Sequence, residues 1–106
     1  MSLSESQKKF LRGLGHPLKP VIMIGNAGLT DSVLNEFFSA LERHELVKVR
    51  VRVGARDTRD AIIDELCRKG AANLVTRVGN VALLFRRNDE KPGIPLPPGP
   101  KPFDQT

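Results

Sequence analysis

"VIMIGNAGLTDSVL", residues 21–34, sets a short apolar run against two glycines spaced G-x-x-G, followed by a threonine-aspartate pair that opens a helical pattern. Val21 to Ile24 are apolar without alternation, which predicts a strand covered on both faces and central in its sheet. Thr30 is a natural N-cap and Asp31 a favourable first-turn acid. Val33, Leu34, Phe37, Phe38 and Leu41 recur at helical spacing, so a helix should run from this turn to about His44. The turn itself admits two readings. In one, Gly25 and Gly28 only let the chain reverse within a compact connection. In the other, they let a phosphate approach the unpaired amides and the positive dipole end of the helix that follows.

Upstream of this unit, Ser4 and Gln7 form a capping-box pattern, and Phe10, Leu11 and Leu14 predict a short helix over residues 4–14 that shows Lys8, Lys9 and Arg12 on its other face. "HPLKP", residues 16–20, cannot be helical, because each proline restricts the residue before it. Downstream, "VKVRVRV" over residues 47–53 is the plainest strand: Val47, Val49, Val51 and Val53 point one way, and Lys48, Arg50 and Arg52 the other. "GARDT" then leads into a third helix from about Thr58 to Lys69, with Ala61, Ile62, Leu66 and Cys67 inward, Asp60 and Asp64 outward, and Gly70 ending it. "ANLVTRV" and "VALLFR" meet at Gly79-Asn80, a glycine-first connection that predicts an antiparallel hairpin. The order is α-β-α-β-α-β-β, an α/β single-domain sandwich with a mixed four-stranded sheet and a parallel β-α-β step. Strand order does not follow from this pattern.

A chain of 106 residues has room for one domain and one core, and with no Trp, no Tyr and five Phe that core must be aliphatic. The domain should occupy residues 1–86. Six of the eight prolines fall in the last twenty residues, so residues 87–106 read as a disordered or polyproline-like tail with little apolar surface to pack. The single cysteine, Cys67, excludes an internal disulfide, and no Cys/His spacing suggests a metal, so neither metal nor cofactor is expected. Met1 to Leu14 is interrupted by Glu5, Lys8, Lys9 and Arg12, and no later segment is apolar enough to span a membrane; a cytoplasmic location is expected.

The formal net charge of +5 is segregated along the chain. Residues 1–30 hold four basic residues and one acid, residues 31–45 one basic residue and four acids, and residues 46–56 four basic residues and no acid. A local basic surface under a mild overall charge is the footprint of a polyanion binder, and also of many ordinary solvated faces. Nothing supports catalysis. His16 sits beside a proline and His44 near a helix C-terminus, where a partly positive imidazole is favourable; Cys67 has no evident activator, and Asp64 and Glu65 are adjacent and so diverge on a helix. The glycine turn lacks the Lys-Ser/Thr of a P-loop, so nucleotide hydrolysis is not expected.

Three short motifs occur in a telling order: His16-Pro17-Leu18-Lys19-Pro20, then Gly25-Asn26-Ala27-Gly28, then Glu45-Leu46-Val47-Lys48-Val49. Over roughly residues 3–86 the chain resembles the YhbY family of bacterial ribosome-associated proteins, the single-domain form of the CRM (chloroplast RNA splicing and ribosome maturation) domain. The resemblance implies an RNA-binding fold similar to the C-terminal domain of translation initiation factor 3, and an association with precursors of the large ribosomal subunit, hence a role in ribosome assembly. The proline-rich tail is outside the shared pattern.

Two surfaces compete for the RNA. One is the turn Gly25, Asn26, Ala27 and Gly28 with Lys19 and the first-helix residues Lys8, Lys9 and Arg12, working as a GxxG loop does when it clamps a nucleic-acid backbone. The other is the row Lys48, Arg50 and Arg52. Asp31 would repel a phosphate near the turn, and without Trp or Tyr a stacking platform is not expected, so recognition of ribosomal RNA by backbone and shape suits the inventory best. Neither a membrane nor a small-molecule substrate is expected as a partner. The alternative is a protein-interaction module that docks on ribosomal proteins without reading RNA directly.

Overall fold

The computed structural model describes residues 2–98. Its elements run α1 (Glu5–Gly15), β1 (Ile22–Ile24), α2 (Asp31–His44), β2 (Leu46–Val51), α3 (Arg56–Gly70), β3 (Asn73–Val78) and β4 (Val81–Phe85). One four-stranded sheet has the order β1-β2-β4-β3, with β1 parallel to β2 and the remaining pairs antiparallel. The mixed α/β architecture is therefore the expected one, and the tertiary structure adds the strand order.

Local signals explain most boundaries. Ser4 Oγ accepts from the Gln7 N–H at 3.1 Å while Gln7 Oε1 accepts from the Ser4 N–H at 2.9 Å, the reciprocal box that starts α1. Thr30 Oγ1 accepts from the Val33 N–H at 3.2 Å and starts α2. The third helix departs from expectation. It begins at Arg56, a residue pair before Thr58, because Ala55 turns its carbonyl to the Arg59 N–H at 3.0 Å and needs no side-chain cap. Its inward residues are Ile63 and Leu66, with Ile62 and Cys67 half-buried, whereas Ala61 is exposed. Ile63, Leu66 and Gly70 at i, i+3 and i+7 set the inward stripe, and Ala61 stands about 200° around the helix from Ile63, in solvent.

The sheet separates two apolar clusters. On one face, Val47, Val49 and Val51 of β2, with Ile22, Ile24, Ala82 and Leu84, pack under Phe37, Ala40 and Leu41 of α2 and Ile63 and Leu66 of α3. On the other face, Leu11 of α1 packs on Leu46, Val75, Leu83 and Phe85. Helix α1 lies close to the sheet because Gly15 has no side chain: a Cβ there would sit 2.5 Å from Leu83 Cδ2. This second cluster covers only one end of its face.

Consequently β1 is not central. It is an edge strand whose burial alternates, with Ile22 and Ile24 buried while Val21 is 56% and Met23 53% exposed. An apolar run without alternation normally signals cover on both sides; here α1 stops short of β1 and leaves one side bare.

Residues 87–98 also depart from the expected unpacked tail. Ile94 and Leu96 pack against the Leu11 cluster, and the Gln7 side chain donates from Nε2 to the Pro97 carbonyl at 2.8 Å. The anchor is Glu45, the residue that ends α2 with φ 61 and is 3% exposed. Its carboxylate accepts from the Asn88 N–H at 2.7 Å and from the Gly93 and Ile94 N–H groups at 2.9 Å each. A non-glycine residue in the left-handed region costs about 1–3 kcal/mol, and three charge-assisted bonds offset that and the desolvation of the carboxylate. Composition misleads here because proline-rich chain can lie extended against a surface when buried acceptors hold its few N–H groups. The expected tail beyond Pro98 lies outside the described residues.

Candidate nucleic-acid interface

The G-x-x-G turn leaves β1 at Ile24 and reverses at once. The Gly28 N–H donates to the Gly25 carbonyl at 3.0 Å, Gly28 has φ 74, and the Thr30 N–H returns to the Gly28 carbonyl at 3.2 Å. Gly28 is thus required by the backbone. Gly25 is not: its φ is ordinary, and a Cβ built on it meets nothing within 4 Å. Asn26 and Ala27 are exposed at the tip, and their N–H groups have no protein acceptor among the described residues. The turn therefore offers two unpaired amides on exposed residues beside a glycine that neither φ nor packing demands. Asp31, the first residue of α2, stands behind it.

The two basic surfaces expected to compete prove to be neighbours. The Arg52 N–H donates to the Ile24 carbonyl at 2.7 Å, so Arg52 lies beside the start of the turn. Register then carries one row across the open face of the sheet: Met23 beside Arg50, Arg50 beside Val81, and Val81 beside Val78. The next row holds Lys48, Leu83 and Thr76. Lys48 and Arg50 are half-buried and Arg52 is exposed. Arg50 packs its stem so closely on the sheet that its Nε is out of solvent without a partner. Unpaired buried polar atoms are uncommon in proteins, and Arg59 Nε and Arg87 Nη1 share this state.

Helix α1 divides its cations between two flanks. Arg12 faces a cleft that Lys48 also lines, together with His16, Thr76, Val78 and Val81. Lys8 stands one turn before Arg12 on the same helix stripe. Lys9 lies on the opposite flank, near Phe10, Leu14 and Pro97, and does not join the cleft. Lys19 borders a second groove of about 450 Å³ with Lys48, Leu14, Leu18 and Val21. Lys48 thus stands between Arg12 on one side and Lys19 on the other, its Nζ 3.5 Å from the His16 carbonyl. Sequence reasoning missed His16, Thr76, Val78 and Met23 as members of this surface. The i, i+4 spacing of Arg12 and His16 was a usable signal; the other three are brought in by strand register.

The helical acids are partitioned by the sheet. Helices α2 and α3 carry Asp31, Glu36, Glu42, Asp57, Asp60, Asp64 and Glu65, whereas α1 carries Glu5 alone. Several acids of α2 and α3 are already engaged: Glu65 with Arg68 at 2.6 Å, Asp60 with Arg77 at 3.2 Å and Glu42 with Arg86 at 3.2 Å. The cations of the open face have no such carboxylate partners among the described residues. Half-burial pushes the Cys67 thiol above its usual range, and the nearby Asp64 carboxylate adds to the shift, so this cysteine stays a protonated packing residue. Among the described residues no three His, Cys, Asp or Glu side chains gather as a metal site would require, and no helix is long and apolar enough to cross a membrane.

Comparison with known proteins agrees with this architecture. The chain is 44% identical over 88 residues to the "Probable RNA-binding protein PA4753" of Pseudomonas aeruginosa, covering 83% of this chain and 85% of that one. It is also 44% identical over 89 residues to the "RNA-binding protein" of Haemophilus influenzae, covering 84% and 90%. The solution structure of the hypothetical protein SAV1595 from Staphylococcus aureus superposes with a TM-score of 0.77 at 29% identity, over 91% of this chain and 100% of the other. The pattern of the CRS1 / YhbY (CRM) domain matches residues 3–86, and with these relatives and this fold the chain belongs to that family.

Proposed function

We propose that the chain is a non-catalytic RNA-binding protein that contacts the phosphate backbone through the Gly25–Gly28 turn and the adjoining Arg50, Arg52, Lys48 and Arg12. The observation that carries this reading is the turn itself: Gly25 meets no steric demand, and beside it two exposed residues keep amides without a protein acceptor among the described residues, near cations free of carboxylate partners there. Amides of this kind and arginine side chains both donate to phosphate oxygens. The names of the Pseudomonas and Haemophilus relatives support RNA as the partner. The resemblance to ribosome-associated proteins supports ribosomal RNA in precursors of the large subunit as the target, acting in ribosome assembly in the cytoplasm.

A salt titration on single-stranded RNA tests the reading. Neutralising roughly four phosphates gives a slope of log K against log salt near about −3. Binding that ignores salt, or that appears only when ribosomal proteins are present, would favour docking on protein instead.

A further inference from the structure

We propose that the cleft between α1 and the β3–β4 hairpin is a subsite for one unpaired RNA base of pyrimidine size, with the adjacent phosphate held at its rim. This rests on the RNA-binding reading above and adds a base contact to it. The cleft measures about 220 Å³. An apolar cavity of about 150 Å³ accepts benzene, so a cleft of this size has room for a single six-membered ring.

Three features make the cleft a built site. Its apolar lining is Leu83, buried at the base, with Val81, and Val78 at the edge is left 73% exposed with nothing from the described chain to cover it. Its rim carries the cations Arg12 and Lys48 beside the imidazole of His16, with no carboxylate. An apolar floor under a cationic rim complements a nucleotide, which joins an apolar ring to an anion, better than it complements a wholly charged or wholly apolar ligand. The arginine plane and the imidazole also supply flat faces in a chain that has no Trp or Tyr.

The backbone is bent to make the cleft. A register shift between Leu74 and Thr76 places two consecutive residues on the same side of β3: Val75 enters the Leu11 cluster, while Thr76 pairs with Leu83 and lines the cleft. A bulge of this kind re-aims a side chain at the expense of one ladder position, and bulges concentrate beside binding sites. Here it brings Thr76, whose hydroxyl has no hydrogen-bond partner among the described residues, into the lining of the cleft. The row Met23, Arg50, Val81 and Val78 then joins the cleft to the glycine turn across three strand intervals, about 14 Å, so one RNA strand can engage both.

The test compares a short oligouridine with an abasic ribose-phosphate strand of the same length, by fluorescence anisotropy over a range of salt. The unmodified chain should bind the oligouridine about fivefold to tenfold more tightly, the lower part of the range for one base contact, with equal salt slopes for both strands. Val81→Phe and, separately, Thr76→Leu fill the cleft; whichever is folded by circular dichroism should lose the preference and keep the slope. Equal affinity of the unmodified chain for both strands, with the slope retained, overturns the base subsite and leaves backbone binding intact. A preference that survives in a folded filled variant overturns it also. Absence of salt-dependent binding to either strand overturns the RNA reading and the subsite together.

Discussion

The two faces of the sheet have been treated in opposite ways. Under α2 and α3, every inward side chain of β2 is sealed, and three of the acids on those helices find arginine partners. Under α1 only the end near Leu11 and Phe85 is sealed, with Ile94 and Leu96 completing the cover, while Met23, Val78, Lys48 and Arg50 stay accessible in whole or part. A folding argument explains the first face completely. It leaves the second with exposed apolar residues, and with cations free of carboxylate partners among the described residues, that the cover of the sheet does not account for.

The sharpest way to break this comparison is to delete apolar volume on each face. Leu41→Ala removes a fully buried side chain from the sealed face and should cost about 3–5 kcal/mol in denaturant unfolding, whereas Val78→Ala should stay within about 0.5 kcal/mol. Comparable losses at the two positions would mean that the open face is part of the core.

The cover supplied by residues 88–97 comes next in size. Glu45→Ala leaves three backbone N–H groups without their acceptor and should destabilise by about 2–3 kcal/mol, which for a domain of this size lowers the melting temperature by roughly 10 °C or more. Ending the chain after Asn88 should lower it by several degrees as Ile94 and Leu96 leave the Leu11 cluster. Overlapping thermal melts of the shortened and full chains would show that this stretch adds no stability.

Binding variants sharpen the comparison from the open side. Ala27→Glu puts a carboxylate at the tip of the glycine turn and should weaken RNA binding by about 1–2 kcal/mol with the melting temperature unchanged. Arg50→Glu should weaken it less, because one side of that guanidinium is already packed on the sheet. A folded Arg50→Glu variant that cannot bind, beside an Ala27→Glu variant that binds normally, would reduce the turn to a chain reversal.

The smallest effect is chemical. The raised pKa of Cys67 means less thiolate than a free cysteine has at mildly alkaline pH, so alkylation by iodoacetamide at pH 8 should be slower in the folded chain than in urea. Equal rates would place the thiol outside the sealed face.

The sequence by itself determined whatever depends on residues within a turn or two of one another. Ser4 and Gln7, Thr30, the alternation in β2 and the Gly79-Asn80 hairpin all act locally, and the elements they define begin within a residue of where periodicity put them, although β2 ends at Val51 and not at Val53. The glycine turn and each group of cations, taken separately, were legible for the same reason. The tertiary structure decided the rest, because it depends on where an element ends relative to chain that is distant in sequence. Helix α1 halts before β1 and so turns an unbroken apolar run into an edge strand with one bare side. Glu45 finds its acceptor role only when Asn88, Gly93 and Ile94 come back to it across more than forty residues. The order β1-β2-β4-β3 sets Arg50 between Met23 and Val81, and thereby makes one surface of two patches that no local pattern could have joined.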